Sequence, residues 1–174
     1  MLNKIFACAS FCACSLFLTS LLLNDAFADA PLQAPKRTTF VSENKQYLLR
    51  SDPQLGTQAM DKNKKLLWKV TGWFRLAFIS NDGEYCVTVY EGLNLIPRDY
   101  REDMIMLTFW KHGKLLRKLT LKDIVPDKSI LQESASHYYW GNTTGINEQG
   151  KFGLERADGM RMYFDVRTGK LVDA

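Results

Sequence analysis

Disulfide chemistry is missing from most of this chain. Four cysteines occur in 174 residues, and Cys8, Cys12 and Cys14 all lie in the apolar N-terminal run. Beyond residue 28 only Cys86 remains, which excludes an internal disulfide and leaves stability to packing. Histidine is equally scarce. His112 and His137 are the only two, too few to give zinc a ligand set or to serve a thiol or serine nucleophile convincingly. No Gly-x-Ser-x-Gly elbow occurs. Long helical periodicity is absent, and the basic residues nowhere concentrate into a nucleic-acid footprint.

What is present begins with an export pattern. Lys4 supplies a positive start, Ile5 to Leu23 carries no charge, and Ala26-Phe27-Ala28 places small residues where a signal peptidase requires them. Residues 1–28 therefore read as a cleavable signal peptide and residues 29–174 as one β-repeat domain. The alternative is an uncleaved anchor, since the uncharged run approaches membrane-spanning length. Ser10, Ser15, Thr19 and Ser20 dilute it, and no basic stop-transfer cluster follows. An exported domain without disulfides fits a bacterial envelope, periplasmic or secreted, better than a eukaryotic secretory route.

The domain carries internal self-similarity. Phe40-Val41-Ser42-Glu43-Asn44-Lys45-Gln46-Tyr47 aligns without gaps on Phe78-Ile79-Ser80-Asn81-Asp82-Gly83-Glu84-Tyr85. A weaker third copy is Gly145-Ile146-Asn147-Glu148-Gln149-Gly150-Lys151-Phe152. Each is an apolar pair, a tight turn and an aromatic that opens a strand. A second element follows each first: Lys62-Asn63-Lys64-Lys65-Leu66-Leu67, Lys111-His112-Gly113-Lys114-Leu115-Leu116, and Arg167-Thr168-Gly169-Lys170-Leu171-Val172. Three units follow, at about 39–70, 77–121 and 144–172. The middle one carries an insertion around Pro97 to Asp103. Thr120 to Asp123 reads as a capping box, and residues 121–136 as a short helical insertion. Tyr85, Val87 and Val89 fall on one strand face and Cys86, Thr88 and Tyr90 on the other. Phe74, Leu76 and Phe78 alternate with Trp73, Arg75 and Ala77. Met104 to Trp110 is almost continuously apolar, as a strand covered on both faces would be.

Phe40 to Asp52, with its Ser51-Asp52 pair, and Phe78 to Tyr90, with its Ser80-Asn81-Asp82-Gly83 turn, resemble the blade motif of TolB-type β-propeller repeats. The turn Thr168-Gly169-Lys170-Leu171 is similar to the inter-strand turn of many propeller blades. The resemblance implies an all-β protein and a binding or scaffolding surface, with no catalytic residue set to carry over. A chain of this length supplies fewer than four blades. The expected fold is therefore about three blade-like antiparallel units in an open or incomplete propeller-like arrangement.

Two aromatic groups are candidates for a binding surface: Trp68, Trp73 and Phe74, then Tyr138, Tyr139 and Trp140. Packing in a small β domain would use the same residues. The net charge is +4, and basic residues gather at Lys62, Lys64, Lys65 and Lys69, and at Lys111, Lys114, Arg117, Lys118 and Lys122. They suit an anionic partner or simply solvated hairpin loops. Asn81-Asp82-Gly83-Glu84 reads as a turn in preference to half of a calcium loop. The functional expectation is a non-catalytic binding or interaction module with no cofactor and no metal. Its partner would be a protein, an anionic or polysaccharide envelope component, or a second copy of the chain. Nucleic acid is not expected, and a membrane only if the leader is retained. The alternative is a hydrolase of envelope polymers using two carboxylates from Asp99, Glu102, Asp103, Asp158 and Asp165.

Overall fold

The structure is a computed structural model, and it describes residues 31–173. The leader inferred from the sequence, residues 1–28, lies outside the described residues. Strands are numbered in chain order. The first sheet holds β1 (Thr38–Val41), β2 (Tyr47–Asp52), β3 (Gly56–Asp61) and β4 (Leu66–Val70), paired antiparallel in that order. The second holds β5 (Ala77–Ile79), β6 (Tyr85–Val89), β8 (Ile105–Lys111) and β9 (Lys114–Thr120). A third four-stranded sheet is β12 (Gly141–Ile146), β13 (Lys151–Arg156), β14 (Arg161–Asp165) and β15 (Leu171–Val172). A smaller sheet runs β10 (Gln132–Glu133), β11 (His137–Tyr139) and β7 (Leu95–Pro97). The protein is all-β, with antiparallel sheets of which none closes into a barrel.

Turn chemistry explains why the strands break where they do. Lys45, Gly83 and Gly150 all have positive φ between the first two strands of their sheets. Lys64, Gly113 and Gly169 have positive φ between the last two. In the first two sheets a serine organises the first turn: Tyr47 N–H donates to Ser42 Oγ, and Tyr85 N–H to Ser80 Oγ, both at 3.0 Å. The third turn lacks that serine, and Asn147 Oδ1 accepts from Gln149 N and Lys151 N instead. A side-chain oxygen that captures amides two to five residues ahead fixes a tight turn without help from elsewhere.

Two cores result. The larger lies between the second and third sheets, where Val87, Val89, Leu107 and Phe109 meet Phe152, Leu154, Phe164 and Val166. Phe152 stands edge-on to both Phe78 (5.5 Å between centroids) and Phe109 (6.2 Å). The smaller lies between the first and second sheets, with Leu49, Ala59, Trp68 and Val70 against Ala77, Ile79 and Cys86. Strand β6 feeds both: Tyr85, Val87 and Val89 face the larger core, Cys86 the smaller, and all five of its residues are buried. Strand β8 is buried from Met106 to Phe109, which is why its sequence is nearly continuous in apolar residues.

Residues 121–136 depart from the sequence expectation of a helical insertion. The capping box is there: Asp123 N–H donates to Thr120 Oγ1, and the Asp123 carboxylate accepts from Thr120 N. The helix α1 (Leu121–Ile124) ends before Pro126, and one 3-10 turn follows at Lys128–Ile130. From Gln132 onward the chain is extended. Gln132 and Glu133 pair with Tyr139 and Tyr138, and β11 in turn pairs with β7. The strand edge offered by Leu95-Ile96-Pro97, with Ile96 wholly buried, satisfies these backbone groups better than an exposed, serine-broken helix would. The alternation from Trp73 to Phe78 also breaks. β5 starts only at Ala77; Leu76 and Phe78 pack on the larger core but Phe74 on the smaller.

Glycine contacts give a direct test of this packing. A Cβ on Gly113, where φ is +76°, would collide with the carbonyl oxygen of Lys69 on β4. Gly159 has φ +81° but open space around it. We expect Gly159→Ala to cost about 1 kcal/mol from φ alone, and Gly113→Ala about 3 kcal/mol. Urea denaturation of the two variants reads the difference directly.

Candidate binding cleft

The segment linking β4 to β5 is held from beneath by buried hydroxyls. Ser51 on β2 and Thr57 on β3 are both buried, with their oxygens 3.0 Å apart. Thr57 Oγ1 donates to Gly72 O (2.9 Å), and Phe74 N–H donates to Ser51 Oγ (2.7 Å). These bonds satisfy a link that has no strand partner of its own and fix the direction of Trp73, Phe74 and Arg75. Phe74 turns inward, its ring 6.1 Å from that of Trp110. Trp73 Nε1–H donates to Lys36 O, and Arg75 Nη1–H to Gln33 O, both at 2.8 Å. The N-terminal residues 33–37 therefore lie across this link. Arg37 pins them further through Asp52, at 2.6 Å. The Arg37 guanidinium, with the Gln54 amide, holds the Asp52 carboxyl below its usual range.

Beside this link is a cleft of about 260 Å³, lined among others by Trp73, Arg75, Thr88, Tyr90, Glu91 and Thr108. Arg75 dominates its chemistry. The guanidinium carbon sits 5.0 Å over the Trp73 ring, and Nη2 lies 3.8 Å from Glu91. Arg75 Nε is buried and has no hydrogen-bond partner, the one such side-chain atom among the described residues. Leaving a buried donor of a charged group unpaired costs more than most single interactions contribute. Tyr90 remains a neutral phenol, since burial and the Glu91 charge push its pKa up. The cleft thus offers a guanidinium, an aromatic wall and several hydroxyls, with the unpartnered Nε itself covered from solvent.

The six aromatics singled out from the sequence do not form one surface. Trp73 and Phe74 line the cleft. Trp68 is buried in the smaller core, its indole N–H bonded to Gly83 O (2.8 Å). Trp140 is buried in the larger core, bonded to Leu93 O (2.8 Å). Both are largely withdrawn from solvent, each with its one polar atom on an internal carbonyl. Tyr138 and Tyr139 stand half-buried on β11, where Tyr138 packs between Arg98 (5.7 Å) and Tyr100 (5.8 Å). Sequence reading missed Arg75, Thr88, Tyr90, Glu91 and Thr108. The only signal was a lone arginine within the apolar stretch from Trp73 to Ile79.

The carboxylates considered for hydrolysis fall into separate local pairs. Asp103 binds Arg101 (2.6 Å), Glu102 binds Lys128, and Asp158 binds Arg156 (2.5 Å). Each of these cations holds its partner's carboxyl below the usual range, whereas a general acid needs a carboxyl held up. Asp165 accepts the turn amide of Arg167 (2.9 Å), and Asp99 is exposed. Among the described residues no group of three or more His, Cys, Asp or Glu could hold a metal ion, and no helix is long and apolar enough to cross a membrane.

The sequence matches no protein-family model and no curated protein. Cys86 is buried in the smaller core, and burial raises its thiol above the ordinary range, so the reactive thiolate is suppressed. For a protein comprising residues 29–174, we expect no reaction of the folded form with an aromatic disulfide reagent, and one thiol to react once denaturant is added.

Proposed function

We propose that this protein is an exported, non-catalytic binding module of a bacterial envelope. It is built from three propeller-blade-like units that stop short of a ring. The cleft beside Arg75 is where it takes its ligand. The matched positive-φ columns, with Lys45, Gly83 and Gly150 in one and Lys64, Gly113 and Gly169 in the other, support the reading of three related units. So does the face-to-face packing of the three four-stranded sheets around two cores.

The observation that carries the binding reading is the Arg75 guanidinium in a cleft walled by Trp73, where its Nε is covered from solvent yet left without a partner. A ligand with an anionic or strongly accepting oxygen meets that guanidinium, and an apolar or sugar face fits beside the Trp73 ring. Charge-assisted hydrogen bonds of this type contribute about 1.5–3 kcal/mol. A panel of acidic sugars and short carboxylate-bearing peptides, screened by thermal shift and then calorimetry, tests it. We expect at least one to raise Tm, and Arg75→Gln to weaken its binding roughly tenfold or more. Trp73→Ala should weaken it too, with the fold retained. Binding that is indifferent to Arg75→Gln, or a panel without a single stabilising ligand, contradicts the assignment.

A further inference from the structure

The outermost strands present a second surface, unrelated to the cleft. Strands β4, β9 and β15 each pair on one side only. Each opens with the same pattern: Lys65-Leu66-Leu67, Lys114-Leu115-Leu116 and Lys170-Leu171-Val172. Their positions are coupled. The Gly113 turn lies against Lys69 of β4, and a Cβ on Gly169 would sit 3.0 Å from Arg117 of β9. The three edges and their turns therefore make one continuous strip. Sheets packed face to face lie ~10 Å apart, so the strip is about 20 Å across.

Its composition is one-sided. Lys62, Lys64, Lys65 and Lys69 belong to the first edge, Lys111, Lys114, Arg117 and Lys118 to the second, Arg167 and Lys170 to the third. All are exposed, and none forms an ion pair among the described residues. The acids nearby are already engaged. Asp61 Oδ1 accepts from Asn63 N and Lys65 N, Asp165 from Arg167 N, and Glu84 faces His112. Among these cations stand Leu66, Leu67, Leu115, Leu116 and Leu171, between 40% and 57% exposed. Lysines alone would be the usual guard of a free sheet edge. Five exposed leucines on the same edges are what such a guard excludes, because they restore the tendency to associate.

We infer that this strip docks on an anionic lipid bilayer, with the leucines entering the headgroup–acyl boundary and the lysine and arginine ammonium and guanidinium groups meeting lipid phosphates. Long basic side chains bury their stems while keeping their charge at the headgroups. Interfacial binding grows with both the apolar area inserted and the attraction to anionic lipid. A soluble polyanion would use the charges and leave the leucines in water.

Co-sedimentation of the purified exported protein with vesicles tests this. The vesicles are phosphatidylcholine alone, or mixed with phosphatidylglycerol. We expect binding to the mixed vesicles only, weakened by high salt. Lys114→Glu with Lys118→Glu should reduce it by at least about tenfold. Leu115→Ser with Leu116→Ser should reduce it comparably, while circular dichroism and Tm stay near those of the parent. Equal binding to both vesicle types, or to neither, overturns the inference. So does full binding by the folded leucine variant, which would mark a site for a soluble polyanion.

Discussion

A strand buried on both faces cannot rely on solvent for any of its side chains, and β6, with most of β8 beside it, is in that position. Every residue of β6, from Tyr85 to Val89, is buried, and its alternating side chains serve two different cores. Among the described residues no disulfide holds the sheets together, so the apolar contact on each face does that. A fully buried aliphatic or aromatic side chain contributes about 1.5–3 kcal/mol relative to exposure. The larger core alone sets Val87, Leu107 and Phe109 against Phe152 and Leu154, all at 1% exposure or less. The first and third sheets each have one face without such cover. They depend on the second sheet more than it depends on either of them.

The polar contacts act at the junctions between sheets, and there they decide position. Trp68 reaches from the first sheet to the carbonyl of Gly83. The absent side chain at Gly83 makes room for the Tyr47 ring, which a Cβ there would penetrate. Asn44 and Asn81 join the first turns of the first two sheets through bonds of 2.9 and 2.8 Å. The repeated turns are therefore also the points at which neighbouring sheets recognise one another. The buried Ser51 and Thr57 hydroxyls play the same part at the other end of these strands, where they fix the link that carries Arg75. The cleft is a by-product of that junction: two sheets held together below, parted by the link above.

Much of the strand pattern was legible because turn chemistry is local. Glycine, or an asparagine or aspartate that captures nearby amides, announces a hairpin within a few residues, and the turns at Gly83, Gly113, Gly150 and Gly169 all have a left-handed backbone at the glycine. The capping box at Thr120 was legible for the same reason. The strand His137–Tyr139, on which Gln132–Glu133 pairs in turn, was not, because its other partner, Leu95–Pro97, lies some 40 residues earlier in sequence and nothing local marks that pairing. The site was least legible. Whether Trp68 and Trp140 face outward depends on which carbonyl their indoles meet, Gly83 in one case and Leu93 in the other. Arg75 gave no motif at all. Its meaning lies in what does not touch its Nε, which only the folded arrangement reveals.

If the doubly covered strands β6 and β8 are the scaffold on which everything else is mounted, their backbone should be the last to open. Native-state hydrogen exchange measures this residue by residue. The account predicts that the amides of Cys86 to Thr88 and Leu107 to Phe109 exchange only through global unfolding, with a free energy equal to that from urea denaturation. Amides of the first and third sheets should exchange no more slowly than these. Protection greater in either outer sheet than in the second would contradict it.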